Sequence, residues 1–257
     1  MYKIHLDEVK STNTWLLDAL NKGALFPDET VVWTMRQTAG RGQVGNSWEA
    51  EPDRNVSFSM LLMPDFLAPH DQFVISEITA LSVAHEVDGL IKWPNDIFVN
   101  EGKICGILIE HKLQGGKLSH SVLGIGINVN QTHWIGSAPN PTSLKLQTGH
   151  DYNPEEVMDG VIRRISAYYR QLRANPEEVR HQIHEEFLGR LYRKEGWYPY
   201  VDAATGEAFE ARIVGVEADG RLILQPQADS ANATLPAVRT YWFKEVKFVL
   251  PCGVTKE

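Results

Sequence analysis

Three basic residues stand in stretches that are otherwise apolar or glycine-rich. Arg41 lies inside QTAGRGQVGNSW (37–48), Lys92 opens KWPND (92–96) and Lys103 opens KICGILIE (103–110). Charge in such surroundings is paired or put to use, because burying it alone is too costly. One reading gathers Arg41, Lys92 and Lys103 around a negatively charged reaction centre. The plain alternatives are an ion pair between Lys92 and Asp96, a strand-end lysine at 103, and an ordinary strand-to-strand loop at 37–48. Gly40, Gly42 and Gly45 spell G-x-G-x-x-G, a dinucleotide signature only where a helix follows at once. None is expected: NSWEAEPDRN (46–55) is rich in turn formers, so no helix dipole would face a pyrophosphate. The glycines suit a loop that closes over a ligand, with Arg41 meeting an anion. Ser11, Thr12 and Asn13 precede a helical pattern. Ser11 or Thr12 reads as its N-cap, and the same hydroxyl and amide groups could bond a polar ligand.

The elements that would position these residues follow from periodicity. Residues 2–9 alternate like a strand, and Trp15, Leu16, Ala19 and Leu20 follow at helical spacing. Strands are expected at 30–35 and 56–63, and a helix at 72–87. Short strands at 90–93 and 97–99 lead through a turn at 100–102 into 103–112. A second hairpin turns at 114–117 and returns through 118–130. ICGILIE and SVLGIGINVN are apolar enough for a central sheet covered by helices. Gly106, Gly124 and Gly126 weaken these strands, which points either to close approach by a ligand or backbone, or to bulges and tight packing. Residues 131–141 read as loop, with structure resuming at 142–146. Helices open at Asn153-Pro154 and Asn175-Pro176. From Trp197 the pattern changes to short strands at 198–201, 209–216, 221–225 and 240–250, the signature of a small barrel. A domain boundary is expected near Glu195, giving residues 1–195 and 196–257.

The 257 residues carry 43 % hydrophobic and 23 % charged side chains, ordinary globular composition. A formal net charge of −8 argues against general nucleic-acid affinity. The two cysteines, Cys105 and Cys252, form no disulfide framework or zinc pattern. Cys105 is expected to be a free buried thiol. The N-terminus has no apolar signal core, and no stretch approaches the roughly 20 apolar residues of a membrane span. A cytoplasmic enzyme or binding protein fits these properties.

Taken together, Ser11-Thr12-Asn13, residues 37–48, KWPND, KICGILIE and Gly124-Ile125-Gly126-Ile127-Asn128-Val129-Asn130 resemble the ordered signature of biotin protein ligases. The resemblance covers about residues 5–130 and continues more weakly at Gly215-Val216 and at Asp219-Gly220-Arg221-Leu222. It implies an α/β (α+β) fold: a mixed sheet with helices on one face, as in class II aminoacyl-tRNA synthetases, plus a small SH3-like C-terminal barrel. It implies ATP and magnesium as co-substrate and ion, biotin as substrate, and a biotin carboxyl carrier protein as partner to a monomer or homodimer. Matching positions would make Lys103 and Arg41 catalytic. Ser11, Thr12, Asn13, Gln37, Gly40, Arg41, Gly42, Gln43 and Lys103 would hold biotin. Arg41, Trp48, Lys92, Asp96, Lys103 and Asn128 would hold ATP, and no metal ligands are assigned.

Two departures stand out. Gln43, Asn46 and Ser47 occupy positions where the family's loop is commonly basic, removing up to three positive charges beside the phosphates. The chain also opens directly on the catalytic blocks, with no room before Tyr2 for a helix-turn-helix, so no DNA partner is expected. A lipoate or octanoate ligase of the same fold and a non-catalytic biotin-binding protein are the alternatives. The KWPND block and Arg41-Gly42-Gln43 argue against the first, and the Arg41 and Lys103 pair against the second.

Overall fold

The computed structural model describes residues 1–43, 45–136, 140–228 and 236–251. Val44 of the glycine loop and Cys252 lie outside them. A seven-stranded sheet has the order β1-β2-β5-β9-β8-β7-β6. Its strands are β1 (Lys3–His5), β2 (Val31–Thr34), β5 (Val56–Leu62), β6 (Leu90–Lys92), β7 (Asp96–Val99), β8 (Gly102–Gln114) and β9 (Lys117–Ile127). The β1–β2 pair is parallel and the others antiparallel, so the sheet is mixed. A two-residue pair, β3 (Gly40–Arg41) with β4 (Ser47–Trp48), stands apart as a small hairpin.

Every residue of β5 is buried, as a central strand with both faces covered requires. Its alternation decides what covers each face. Val56, Phe58, Met60 and Leu62 join the main core with Ile107, Leu123 and Ile125. That face is packed by α2 (Phe73–Glu86) and α4 (Pro154–Ala174), with α5 (Pro176–Gly189) packed against those two helices. Helix α4 supplies Val157, Val161, Ile165, Tyr169 and Leu172, a stripe at helical spacing. On the opposite face Leu61 joins Val32, Val122 and Leu16 of α1 (Thr12–Asn21). Helices therefore cover both faces, not one: α1 lies over β2, β5 and β9, because their apolar residues are not all of one parity. A short α3 (Leu144–Thr148) follows the loop after β9.

A separate five-stranded antiparallel sheet has the order β13-β12-β11-β10-β14. It is built from β10 (Tyr198–Asp202), β11 (Ala208–Val216), β12 (Leu222–Pro226), β13 (Arg239–Tyr241) and β14 (Val246–Phe248). The single strand expected at 240–250 is broken in two at a turn where Lys244 has φ of 71°. Strand β1 is likewise shorter than the alternation at 2–9, since its partner β2 has only four residues; Val9 makes an isolated bridge to Gln37. Trp93 Nε1 donates to Gly220 O at 2.9 Å, and Arg193 Nη1 to Val249 O at 3.0 Å, tying the small sheet to the large one. The Trp93–Pro94 peptide is cis. Among the described residues, no helix is long and apolar enough to cross a membrane.

Candidate active site

Cross-strand register lays the site out in rows on the α1 face of the large sheet. Lys92, Asp96, Gly106, Gly126, Ser57 and Thr34 are successive partners across β6, β7, β8, β9, β5 and β2. The next row holds Leu108, Gly124, Ser59 and Val32. Glu110, Val122 and Leu61 follow. Over the first two rows lies a concave cleft open to solvent. Its lining includes Ser11, Thr12, Asn13, Gln37, Arg41, Gly42, Gln43, Trp48, Lys92, Asp96 and Lys103, so the separated sequence blocks converge.

A bulge puts Lys103 there. Ile97 pairs with Cys105, but Phe98 pairs with Lys103, leaving Ile104 as the extra residue in β8. Without it, Lys103 would share the core face with Cys105 and Ile107. The inserted residue turns it to the side of Gly106, the re-aiming that bulges provide beside functional sites. Lys103 Nζ then lies 2.7 Å from Asp96 Oδ1, and Lys92 Nζ 3.9 Å from Asp96 Oδ2. All three side chains are mostly buried. Lys92 also faces the ring of Phe248 at 4.9 Å and that of Phe98 at 5.6 Å. Burial lowers the Lys92 pKa, and Lys103 lowers it further against the opposing pull of Asp96. Two cations on one carboxylate leave a net positive end, suited to an anion.

At the other end the hydrogen bonds run mostly between uncharged groups. Ser11 is the N-cap of α1, its Oγ accepting from Thr14 N at 3.4 Å. Thr12 N donates to Gln37 Oε1 at 3.0 Å. Ser59 Oγ lies 2.8 Å from Thr12 Oγ1 and also bonds Asn13 Oδ1. Asn13 Nδ2 donates to Leu108 O at 3.1 Å and Glu110 Oε2 at 3.0 Å. The network fixes donors and acceptors in place, as a polar ring would need.

The glycines in the strands make room for side chains. A Cβ at Gly126 would stand 2.5 Å from the Trp48 indole, one at Gly106 2.9 Å, and one at Gly124 2.4 Å from Asn13. Trp48 is thus seated on a glycine floor by the β3–β4 hairpin. Its Nε1 and Gln43 Oε1 are buried without a partner.

Arg41 is not beside the lysines. Its Nη2 binds Glu110 Oε2 at 2.8 Å. The structure therefore gathers two of the three cations and places the third elsewhere, because the hairpin carries Arg41 toward the α1 side of the cavity. Asn128 does not line the cavity; its Nδ2 donates to Thr142 O at 2.9 Å and its Oδ1 is buried without a partner. Sequence reasoning missed Ser57, Ser59, Glu110 and Phe243. The serines alternate within an otherwise apolar strand, which was the available signal. Phe243 reaches the cavity from the small sheet and had none. Cys105 is a free buried thiol whose pKa burial pushes up.

Comparison with known proteins gives this arrangement a lineage. The model of the biotin/lipoate A/B protein ligase family matches residues 6–128. A Paracoccus denitrificans protein named biotin–[acetyl-CoA-carboxylase] ligase is 31 % identical over 249 residues, 92 % of this chain and 99 % of that one. The chain belongs to the biotin protein ligase family. Within that family, the bifunctional ligase/repressor BirA of Bacillus subtilis is 35 % identical over 172 residues, covering 63 % of this chain and 50 % of its own. The chain thus spans about half the length of that relative. A structure described as the Aquifex aeolicus biotin protein ligase with biotin and ATP superposes with a TM-score of 0.74 at 24 % identity, over 97 % of this chain and 99 % of that one. The likeness extends the shared fold through the small C-terminal sheet.

Proposed function

We propose that the protein is an ATP-dependent biotin protein ligase. The observation that carries this is one cavity with two unlike ends, a fixed hydrogen-bond network of mostly uncharged groups and a two-lysine cation cluster, in a chain of this family. The biotin carboxylate attacks the α-phosphorus of ATP; the bond to the β-phosphate breaks and pyrophosphate leaves. A lysine amine of a biotin carboxyl carrier protein then attacks the acyl carbon. The acyl–oxygen bond breaks, AMP leaves, and the amine's proton is lost.

The residues suit these steps. Lys92 and Lys103 offset the repulsion between carboxylate and phosphates and the charge of the transition state. Ser11, Thr12, Asn13 and Gln37 match biotin's ureido ring. Trp48 gives an apolar face to the nucleotide, whereas Asn128, outside the cavity lining, would meet the adenine edge only through its unpartnered Oδ1. The β3–β4 hairpin shields the reactive anhydride from water. Among the described residues, no group of three His, Cys, Asp or Glu could hold a metal alone. Nucleotide-borne magnesium needs only one or two protein carboxylates besides phosphates, and Asp96 is the carboxylate at that end. Residues 1–195 would carry this chemistry and 196–257 would close the nucleotide side through Phe243 and Phe248. A cytoplasmic place, with ATP and carboxylases at hand, fits the reading.

The test is exchange of label between pyrophosphate and ATP. Exchange that depends on biotin is expected. Folded protein that shows none, or that shows it with lipoate and not biotin, would sink the proposal.

A further inference from the structure

Arg41 is the only basic residue in the stretch 37–48, and it points away from the lysines. Its partner Glu110 lies four residues beyond Gly106 on β8, two rows or about 13 Å from the row of Lys92 and Asp96. One oxygen of Glu110 serves two partners. From inside, Asn13 Nδ2 donates to Oε2 at 3.0 Å; from outside, Arg41 Nη2 lies 2.8 Å from the same atom. Asn13 is itself buried and held by Ser59 and Leu108 O. Glu110 is therefore an acid fixed from beneath, and not a loose surface carboxylate.

We propose that Glu110 is a positioning residue that parks Arg41 at the biotin end of the site until the acyl-adenylate is present and then releases it. The inference rests on the ligase reading for its ligand. The Arg41 and Glu110 side chains are 45 % and 32 % exposed, so solvent screens the pair and it is breakable. A phosphate beside an acyl oxygen offers a guanidinium better partners than one shared carboxylate oxygen, through charge-assisted bidentate bonds. With Gln43, Asn46 and Ser47 in the same hairpin, it carries no second cation of its own to hold it while Arg41 moves. The parking contact thus keeps the lid ordered before substrate, and every ligand that recruits Arg41 must first break it.

The Arg41–Gly42 bond is a trypsin site inside the lid, so cleavage there reports release of Arg41. In Glu110→Gln, cleavage at Arg41 in the empty protein should quicken by about threefold to fivefold, the scale of one exposed ion pair. Moderate salt should quicken wild-type cleavage and leave the variant nearly unchanged, as screening of that pair requires. A non-hydrolysable biotinyl-adenylate analogue, titrated by calorimetry, should bind the variant as tightly as wild type or up to about fivefold more tightly, because the parking contact no longer competes. Unchanged cleavage at Arg41 would overturn the proposal. So would analogue binding weakened by fivefold or more, which would mean that Arg41 stays on Glu110 in the complex. If the analogue bound neither protein, the ligase reading would fail while the cleavage arm still judged the contact. A thermal unfolding midpoint near wild type keeps a folding defect from imitating either result.

Discussion

Strands β5, β8 and β9 show two unlike faces. One carries Phe58, Met60, Ile107, Leu123 and Ile125 and is sealed by α2 and α4, with α5 behind them. The other carries Ser57, Ser59, Gly106, Gly124 and Gly126 and supports the cavity. Both are generated by the same period of two. The difference teaches that a sheet can assign stability to one parity and chemistry to the other. On the site side, side-chain volume has been removed and the space given to Trp48, Asn13 and a ligand.

Substitutions should separate the two faces. Phe58→Ala, on the sealed side, should cost about 3–5 kcal/mol of stability in a denaturant titration, with near-normal exchange per folded molecule. Loss of activity without loss of stability would break the division. Lys103→Ala, on the open side, should slow adenylation by roughly two to three orders of magnitude with a smaller stability change; a near-normal rate would remove Lys103 from the chemistry. Gly126→Ala forces a methyl group toward the indole, and overpacking of this kind costs about 1–3 kcal/mol. Its effect should appear as weaker nucleotide binding, relieved when Trp48→Ala is added. Ser59→Ala takes away the hydroxyl between Thr12 and Asn13. The KM for biotin should rise about tenfold, the order of one buried hydrogen bond, with kcat little changed; an unaltered KM would make Ser59 only packing.

The smallest effect concerns the sealed side, which also buries an ion pair. His184 Nδ1 lies 2.6 Å from Glu77 Oε1. That hydrogen bond holds the His184 pKa above its ordinary 6.5, while burial raises Glu77. The pair's contribution is therefore complete below pH 6.5 and is lost as pH rises through the folded value, leaving Glu77 buried beside a neutral ring. The thermal unfolding midpoint should fall as pH rises above 6.5, and His184→Gln should flatten that dependence. A flat wild-type profile would show that the pair is not charged.

The local signals in the chain were good guides where one residue type settles a conformation. Ser11 caps α1, the two hairpins turn where Asn100-Glu101-Gly102 and Gln114-Gly115-Gly116-Lys117 suggest, and Asn153-Pro154 opens α4. A central sheet covered by helices and the small β unit were legible in periodicity, and the mixed character of the sheet was an implication of the family resemblance. What was not legible depended on register. Nothing local shows that Ile104 is an extra residue that turns Lys103 over, since the bulge exists only relative to β7. Glu110 looks like a strand acid until Asn13, far away in sequence, is placed beneath it. Gly106, Gly124 and Gly126 left packing and ligand approach equally open. The answer, space for Trp48 and Asn13, required two other segments to be folded against them.

The indole resting on Gly106 and Gly126 can also be seen as a removable plug. Trp48→Ala would leave a ring-shaped hollow floored by residues that have no side chains of their own. A nucleotide analogue bearing an added aromatic group could occupy it, whereas the unaltered protein would exclude that analogue. The glycine floor thus offers a ready-made bump-and-hole pair, through which one member of this family could be given a nucleotide that its relatives cannot use.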